Sequence, residues 1–498
     1  MSELMFHAPV LAILIPLLGA PICALFRGTT FPWLLTTTLS ALSLVFSYEL
    51  LLHVAANGPV SYEIGGWAPP FGIEYVADPL SAFVMLVISG ISTGVLLYAK
   101  DSIAAEVPGK KLGLFFSAYL LALSGMMGIT VTGDAFNIFV FMEIMSLSSY
   151  ILIAMGEKND RRALFAAFQY LVIGTIGATF ILIGVGLLYL MTGTLNIADI
   201  ASQFDAISDT RPVRAAVGFL VVGIAIKLAM FPFHIWLPNA YAYAPNIVTA
   251  FFAGTATKVS VYLLIRFMFT IFGVDFSFGT VALNDLLMPL GVLAFLSMSV
   301  VAIFQTDLKR LLAFSSVAQL GYMTVGITLA TEAGLTASIL HIFNHAIVKT
   351  GLFLSVGAMF YITHSTQLKN LAGIGQRMPL TSFSFVLGGL ALIGVPLTPG
   401  FISKWYLVQA ALARGDMIGY GLTIGMLISS LFAVIYVWRV VELAYFKPSP
   451  EGAPSGEAPL PMLAVIWLFV LGSFYFGIET SLPVGFAEQA ARFLMGGS

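Results

Sequence analysis

The stretch IKLAMFPFHIWLPNAYAYAP, Ile226 to Pro245, decides how this chain folds. It sets a lysine, a histidine and three prolines in what is otherwise an apolar helical run. A soluble core does not hold Lys227 cheaply, and a lipid-facing helix holds it less cheaply still. The prolines break the helix, because each removes a main-chain donor and clashes with the turn before it. Broken backbone survives at membrane depth only where it lines a polar interior. The stretch therefore reads as an interrupted helix beside a water-accessible cavity, with Lys227 at the interruption.

The rest of the chain fits that reading. Of its 498 residues, 59% are hydrophobic and 9% charged, against about 25% charged in soluble domains. Mean hydropathy is +0.98. Apolar runs of about 20 residues predict an all-α polytopic membrane protein. A transmembrane barrel would alternate polar and apolar residues, and these runs do not. The net charge of −2 comes with scattered basic residues, which argues against nucleic acid as a partner. One cysteine, Cys23, excludes a disulfide framework and any centre held by several thiolates. Neither a GxxxxGK[ST] loop nor a strand-to-helix GxGxxG is present. No cofactor and no metal site is predicted, so the driving energy comes from an ion gradient or a partner. The opening MSELMFHAP lacks a positive stretch, so a cleaved signal peptide is not expected.

Fourteen spans are predicted, at 6–26, 31–55, 77–99, 111–131, 133–155, 161–191, 212–244, 246–272, 281–304, 311–329, 334–363, 380–414, 416–446 and 459–481. With the N-terminus outside, the inner loops carry Arg27, Lys100, Lys110, Lys111, Lys158, Arg161, Arg162, Lys309, Arg310, Lys369, Arg377 and Lys447. The outer side carries only Arg211, Arg214, Arg414 and Arg492. That imbalance, by the positive-inside rule, puts both termini outside. Arg266 and Arg439 are placed near helix ends, where they can snorkel. Residues 56–76, punctuated by Gly and Pro, can form a small outer hairpin. KPSPEGAPSGEAP, Lys447 to Pro459, is a linker to the last span.

Four lysines stay inside spans: Lys227, Lys258, Lys349 and Lys404. Glu143, in FVFMEIMSLSSY, is the carboxylate placed near mid-membrane. An ionised side chain there costs about 2.5–3.5 kcal/mol on insertion scales, so each is a functional candidate. The seventh span breaks after Lys227. The twelfth, GVPLTPGFISKWYL, breaks at Pro396, Pro399 and Gly400, before Lys404. Two interrupted spans crossing in opposite directions predict inverted repeats with the ion site at the breaks. The division is 1–110 for an N-terminal three-helix segment, 111–272 and 281–446 for the two five-helix repeats, and 447–498 for the linker, last span and tail.

The eleventh span carries the most regular pattern. HIFNHAIVKTG sets His341, His345 and Lys349 at i, i+4 and i+8, one stripe about 12 Å long. Histidine titrates near neutrality, and taking an ammonium out of water brings a lysine toward the same range. A stripe of this kind suits a proton relay. Glu143 placed near Lys227 would hold its proton, and separation would release it. Competing readings are a static Glu143–Lys227 pair, a zinc site or inert core histidines at His341 and His345, a snorkelling Lys349, and a His234 that only caps freed carbonyls.

KLAMFPFHIWLPNAYAYAPNIVTAFFAGTATKVSVYLLIR, HIFNHAIVKTGLFL and GVPLTPGFISKWYL together resemble the antiporter-like subunits shared by Mrp-type sodium/proton antiporters, respiratory complex I and membrane-bound hydrogenases. The resemblance covers about residues 70–415. It implies fourteen helices with inverted repeats at spans 4–8 and 9–13. It implies that Glu143, Lys227, Lys258, His341, His345 and Lys404 occupy the positions of the family's proton-translocating groups. Chain length and a lysine at 404 match the D-type membrane component of the Mrp antiporters. A proton-pumping subunit of a redox complex is the alternative, and no redox or catalytic site is seen in the chain for either. The implied partners are other integral-membrane subunits, with protons and sodium as the ions. The implied location is the inner (plasma) membrane.

Overall fold

The computed structural model describes residues 6–158 and 160–497. The first residues of MSELMFHAP, on which the reading of the N-terminus rests, lie outside that range. Among the described residues, thirteen helices are long and apolar enough to cross a membrane. The remaining crossing is made of two pieces, Pro379–Ile393 and Pro399–Leu412, each too short to span a bilayer alone. This pair is the predicted broken twelfth span, so the fourteen-span reading holds.

The first three spans are Ala8–Leu25, Thr30–Asn57 and Pro79–Glu106. Gly109–Val131, Ala135–Ala154, Arg162–Thr192, Arg211–Tyr243 and Asn246–Ile271 form the first group of five. Leu283–Ile303, Leu308–Thr328, Glu332–Thr363, the broken span and Met417–Phe446 form the second. Leu460–Ile478 is the last crossing among the described residues. The apolar stretch of the eighth span is buried throughout and that of the tenth nearly so, whereas in the second, sixth and thirteenth more than half of the residues are at least partly exposed. The exposed side chains are large and apolar, such as Leu190, Leu431 and Trp438, as a lipid-facing surface requires. The Gly-rich sixth span packs closely on the seventh. A Cβ on Gly177 would come within 2.9 Å of Ile226, and one on Gly223 within 2.7 Å of the Gly177 carbonyl.

Both predicted breaks are present. The seventh span runs as a helix over Arg211–Leu228 and resumes at Trp236–Tyr243, with Ala229 in the left-handed region between them. Pro238 falls in the first turn of the second piece, where its missing N–H costs nothing. In the twelfth span Gly394, at φ +92°, ends the first piece and Pro399 opens the second. The eighth span has a third interruption, between Gly254 and Ala256, which no proline marks. Thr255 lies off helical geometry at φ −127° and ψ −61°, and the span ends in a wide turn over Arg266–Ile271.

The expected hairpin forms from Val60–Glu63 and Glu74–Ala77, paired antiparallel. Two amphipathic helices, Ile197–Ile207 and Ser481–Leu494, escaped the hydropathy reading because their apolar residues occupy one face only. Arg266 does not snorkel. It is buried and doubly bonded to Asp78, at 2.6 and 3.0 Å, and so ties the end of the eighth span to the start of the third. Arg439 turns back to the carbonyls of Ile303 and Gln305 at the end of the ninth span.

Candidate functional site

All four span lysines are buried: Lys227, Lys258 and Lys349 almost completely, Lys404 at 9% exposure. Each ammonium has a partner, and for three of them it is a main-chain oxygen. Lys258 donates to the Ala253 carbonyl, which is freed where Thr255 interrupts the eighth span. Lys349 donates to the Leu312 carbonyl at 2.8 Å and to the Ser315 hydroxyl. Lys404 donates to the carbonyls of Leu392 at 3.2 Å and Ile393 at 2.9 Å, the last two residues before Gly394. It also reaches Ser430 and lies 5.1 Å from the centre of the Tyr322 ring. A cation over an aromatic face gains roughly 0.5–2 kcal/mol. These contacts rule out a snorkelling Lys349.

Lys227 is the exception. Its ammonium donates to the Ser146 hydroxyl at 2.7 Å, on the fifth span. Glu143 lies one turn away on the same helix, within electrostatic reach of Lys227, yet its Oε1 is buried without a hydrogen-bond partner. The two charges therefore share a pocket without forming a closed ion pair. Tyr150, whose hydroxyl also lacks a partner, packs edge-on against Tyr170, and Tyr170 stacks on Trp236 at 4.1 Å. The Trp236 indole donates to Ile226 O at 3.0 Å, a carbonyl that the break leaves with the Ala229 N–H in place of its regular helical donor. His234 does not perform that capping. Its buried Nδ1 has no partner, and its ring lies among Phe231 and Phe314.

The eleventh-span stripe faces the tenth and twelfth spans. The His341 and His345 rings are parallel, with centres 5.9 Å apart. Nε2 of His341 lies 2.9 Å from Gln319 Oε1, and Nδ1 lies 2.8 Å from the Ser403 hydroxyl. With both nitrogens of His341 engaged this way, the two rings do not converge on a shared metal ion. Both nitrogens of His345 are buried without a partner among the described residues, which is rare for a structural core histidine. Lys258 and Lys349 lie within electrostatic reach of it. Asn344 donates to Pro399 O at 2.6 Å and fixes the stripe against the second break.

Lys258, His345, His341 and Lys404 are thus brought together, with Ser403 and Gln319 between them. Lys349 adjoins the line on its basic-loop side. Glu143 and Lys227 form a separate pocket, and among the described residues no direct side-chain hydrogen bond joins Lys227 to Lys258. The sequence reading missed Ser146, Ser315, Gln319, Tyr322, Ser403 and Ser430. One signal was available: Ser315, Gln319 and Tyr322 recur at i, i+4 and i+7, a single face of the tenth span.

Fold and site together define an integral membrane protein with buried titratable side chains gathered beside its interrupted helices. A family model described as NADH:quinone oxidoreductase/Mrp antiporter, transmembrane, matches residues 132–430, and the chain belongs to that family. It is 39% identical over 464 residues to NADH-quinone oxidoreductase subunit N of Desulforudis audaxviator, covering 91% of this chain and 90% of that one. It is 33% identical over 437 residues to the D-type Na(+)/H(+) antiporter subunit of Alkalihalophilus pseudofirmus, covering 86% of each. Among solved structures it superimposes on a chain of the Mrp complex from Dietzia sp. DQ12-45-1b. The TM-score is 0.90 at 25% identity, over 99% of this chain and 98% of that one. The chain is therefore an antiporter-like membrane subunit.

Proposed function

We propose that this chain is the proton-translocating subunit of a multisubunit sodium/proton antiporter. It sits in the plasma membrane among other integral-membrane subunits, with its lysine- and arginine-rich face to the cytoplasm and both termini outside. The observation that carries this reading is the hydrogen-bonded run from His341 through Ser403 to the second break, where Lys404 rests on freed carbonyls. Lys227 takes a proton in the Glu143 pocket. The proton passes by way of Lys258, His345 and His341 to Lys404, which releases it at the second break.

Ser403 makes the His341 step reversible. With His341 neutral, the Gln319 oxygen accepts from Nε2–H and the Ser403 hydroxyl donates to Nδ1. With His341 protonated, Nδ1–H donates instead, and Ser403 turns its hydrogen to Pro399 O, 3.4 Å away. The unpartnered nitrogens of His345 leave it free to take and pass a proton on the other side. The division into an N-terminal three-helix segment, two repeats and a closing span follows the same reading.

A second reading is favoured by the relative at 39% identity: a proton-pumping subunit of a redox complex. Purification of the assembled complex in mild detergent separates the two. Partners that are all hydrophobic membrane proteins, with sodium-dependent proton efflux in reconstituted vesicles, support the antiporter. Cysteine-rich partners with iron absorption overturn it in favour of the redox complex.

A further inference from the structure

The path above gives Lys349 no step. Its partners, Leu312 O and the Ser315 hydroxyl, lie on the tenth span. That span begins lower down, at a cavity of about 450 Å³ that opens on the basic face. The cavity lies between the starts of the eighth and tenth spans and the end of the eleventh. Its wall carries Glu106, Asn246, Asp307, Lys309, Arg310 and His364.

Two of these are opposite charges taken almost wholly out of solvent: Glu106 at 4% exposure and Lys309 at 3%. The Glu106 carboxylate accepts from the Asn246 main-chain N–H and side-chain amide, each at 3.0 Å. Lys309 donates to Ala244 O at 2.7 Å and lies within electrostatic reach of Glu106. The other charges of the lining are spoken for: Asp160 and Arg162 pair with each other at 2.5 Å. Asp307 accepts from the Arg310 N–H, Thr366 and Gln367, and the Arg310 guanidinium donates to Asn239 and Gln305. The buried Oδ1 of Asn246 has no partner among the described residues. A polar oxygen at the wall of a polar cavity, beside a buried carboxylate, calls for a donor from within the cavity, and water is the donor that fits.

We propose that this cavity is a second proton-loading mouth, in which Glu106 and Lys309 take protons from water on the basic face and pass them along the tenth span to Lys349. The proposal rests on the proton-translocation reading above and gives Lys349 its role in it. The transfer balances. The Glu106 carboxylate takes a proton from hydronium in the cavity and so loses its hold on the Lys309 ammonium. Lys309 gives its own proton to a neutral Lys349 amine, through water and the Ser315 hydroxyl, over about 9 Å of helix. Glu106 then returns its proton to Lys309 and is a carboxylate again. One proton has moved from cavity water to Lys349, one turn from His345.

The test uses the assembled complex with Cys23→Ala as background. Asn246→Cys at the cavity wall and His364→Cys at its rim are exposed to a membrane-impermeant maleimide from either face. Labelling of both from the basic face alone is expected, whatever the complex transports. If His364→Cys labels and Asn246→Cys does not, water does not reach the wall and the proposal falls. In the second arm, Glu106→Gln keeps the shape and the acceptor oxygen but cannot carry the proton, and should slow transport at least five-fold, with Glu106→Asp recovering part. Wild-type rates in Glu106→Gln, while Lys404→Ala is dead, overturn the loading mouth and leave the main reading intact. Wild-type rates in Lys404→Ala as well overturn both.

Discussion

Lys227 Nζ and Ser146 Oγ are 2.7 Å apart, so the lysine of the first break is bonded to a hydroxyl and not to the carboxylate nearby. Glu143, one helical turn from Ser146, keeps a buried oxygen without a partner. A static ion pair would have closed that gap, since a buried charge left unpaired is costly. The open arrangement suits a pocket that changes state, with Lys227 moving between the hydroxyl and the carboxylate.

Glu143→Ala should therefore abolish transport while the complex still assembles. Glu143→Asp keeps the charge, shortens the reach, and should retain part of the rate. Proton movement in everted vesicles, normalised to the amount of assembled complex, is the measurement. Unchanged transport in the alanine variant would show that Glu143 has no part in the path.

Gln319 Oε1 lies 2.9 Å from His341 Nε2, and in the proposed path it would position the ring. Removing it in Gln319→Ala takes away the acceptor at Nε2 and should slow transport about ten-fold, close to 1.4 kcal/mol on the barrier. His341→Ala and His345→Ala should each slow it further. A chelator added to the wild type should change nothing. If instead EDTA inactivates the complex, or elemental analysis finds stoichiometric zinc, the histidines bind metal and the relay reading fails.

The Asp78–Arg266 pair makes a prediction about stability rather than transport. Arg266→Ala leaves Asp78 buried without its counter-charge, at a cost of about 3–5 kcal/mol. The purified complex should melt at a clearly lower temperature, and Asp78→Ala combined with Arg266→Ala should recover part of the loss. Transport per folded complex should change little. A thermal shift assay beside vesicle transport separates the two effects.

What the sequence made legible follows from what stands out in an apolar chain. Prolines at 232, 396 and 399 announced two breaks, and charges at 143, 227, 258, 349 and 404 announced a polar interior. The break at Thr255 carries only a weak mark, Gly254 beside two threonines, because no proline occupies it and a single glycine is common inside membrane helices. Ser315, Gln319 and Ser403 are neutral and cheap to bury, so they did not stand out, although they bond to Lys349 and His341. Arg266 read as an interface residue because its partner is 188 positions away. Lys309 read as a loop charge because it opens a helix, and only the packing shows it buried.

Lys404 gives the most discriminating test. It stands one helical turn past Gly400, and its ammonium reaches back to the carbonyls of Leu392 and Ile393 that the break leaves without helical donors. Lys404→Ala removes the terminal acceptor and should stop transport. Lys404→Arg keeps the charge and suits the same carbonyls, but a guanidinium does not release its proton at any working pH. If Lys404 must titrate, arginine should be nearly as inactive as alanine. If it is only a fixed charge holding the break, arginine should be active. Lys404→Glu should keep some activity, since a buried carboxylate also titrates near neutrality. Vesicle transport ordered wild type, then glutamate, then arginine and alanine together supports the titrating role. Full activity in the arginine variant would mean that the relay ends at another residue.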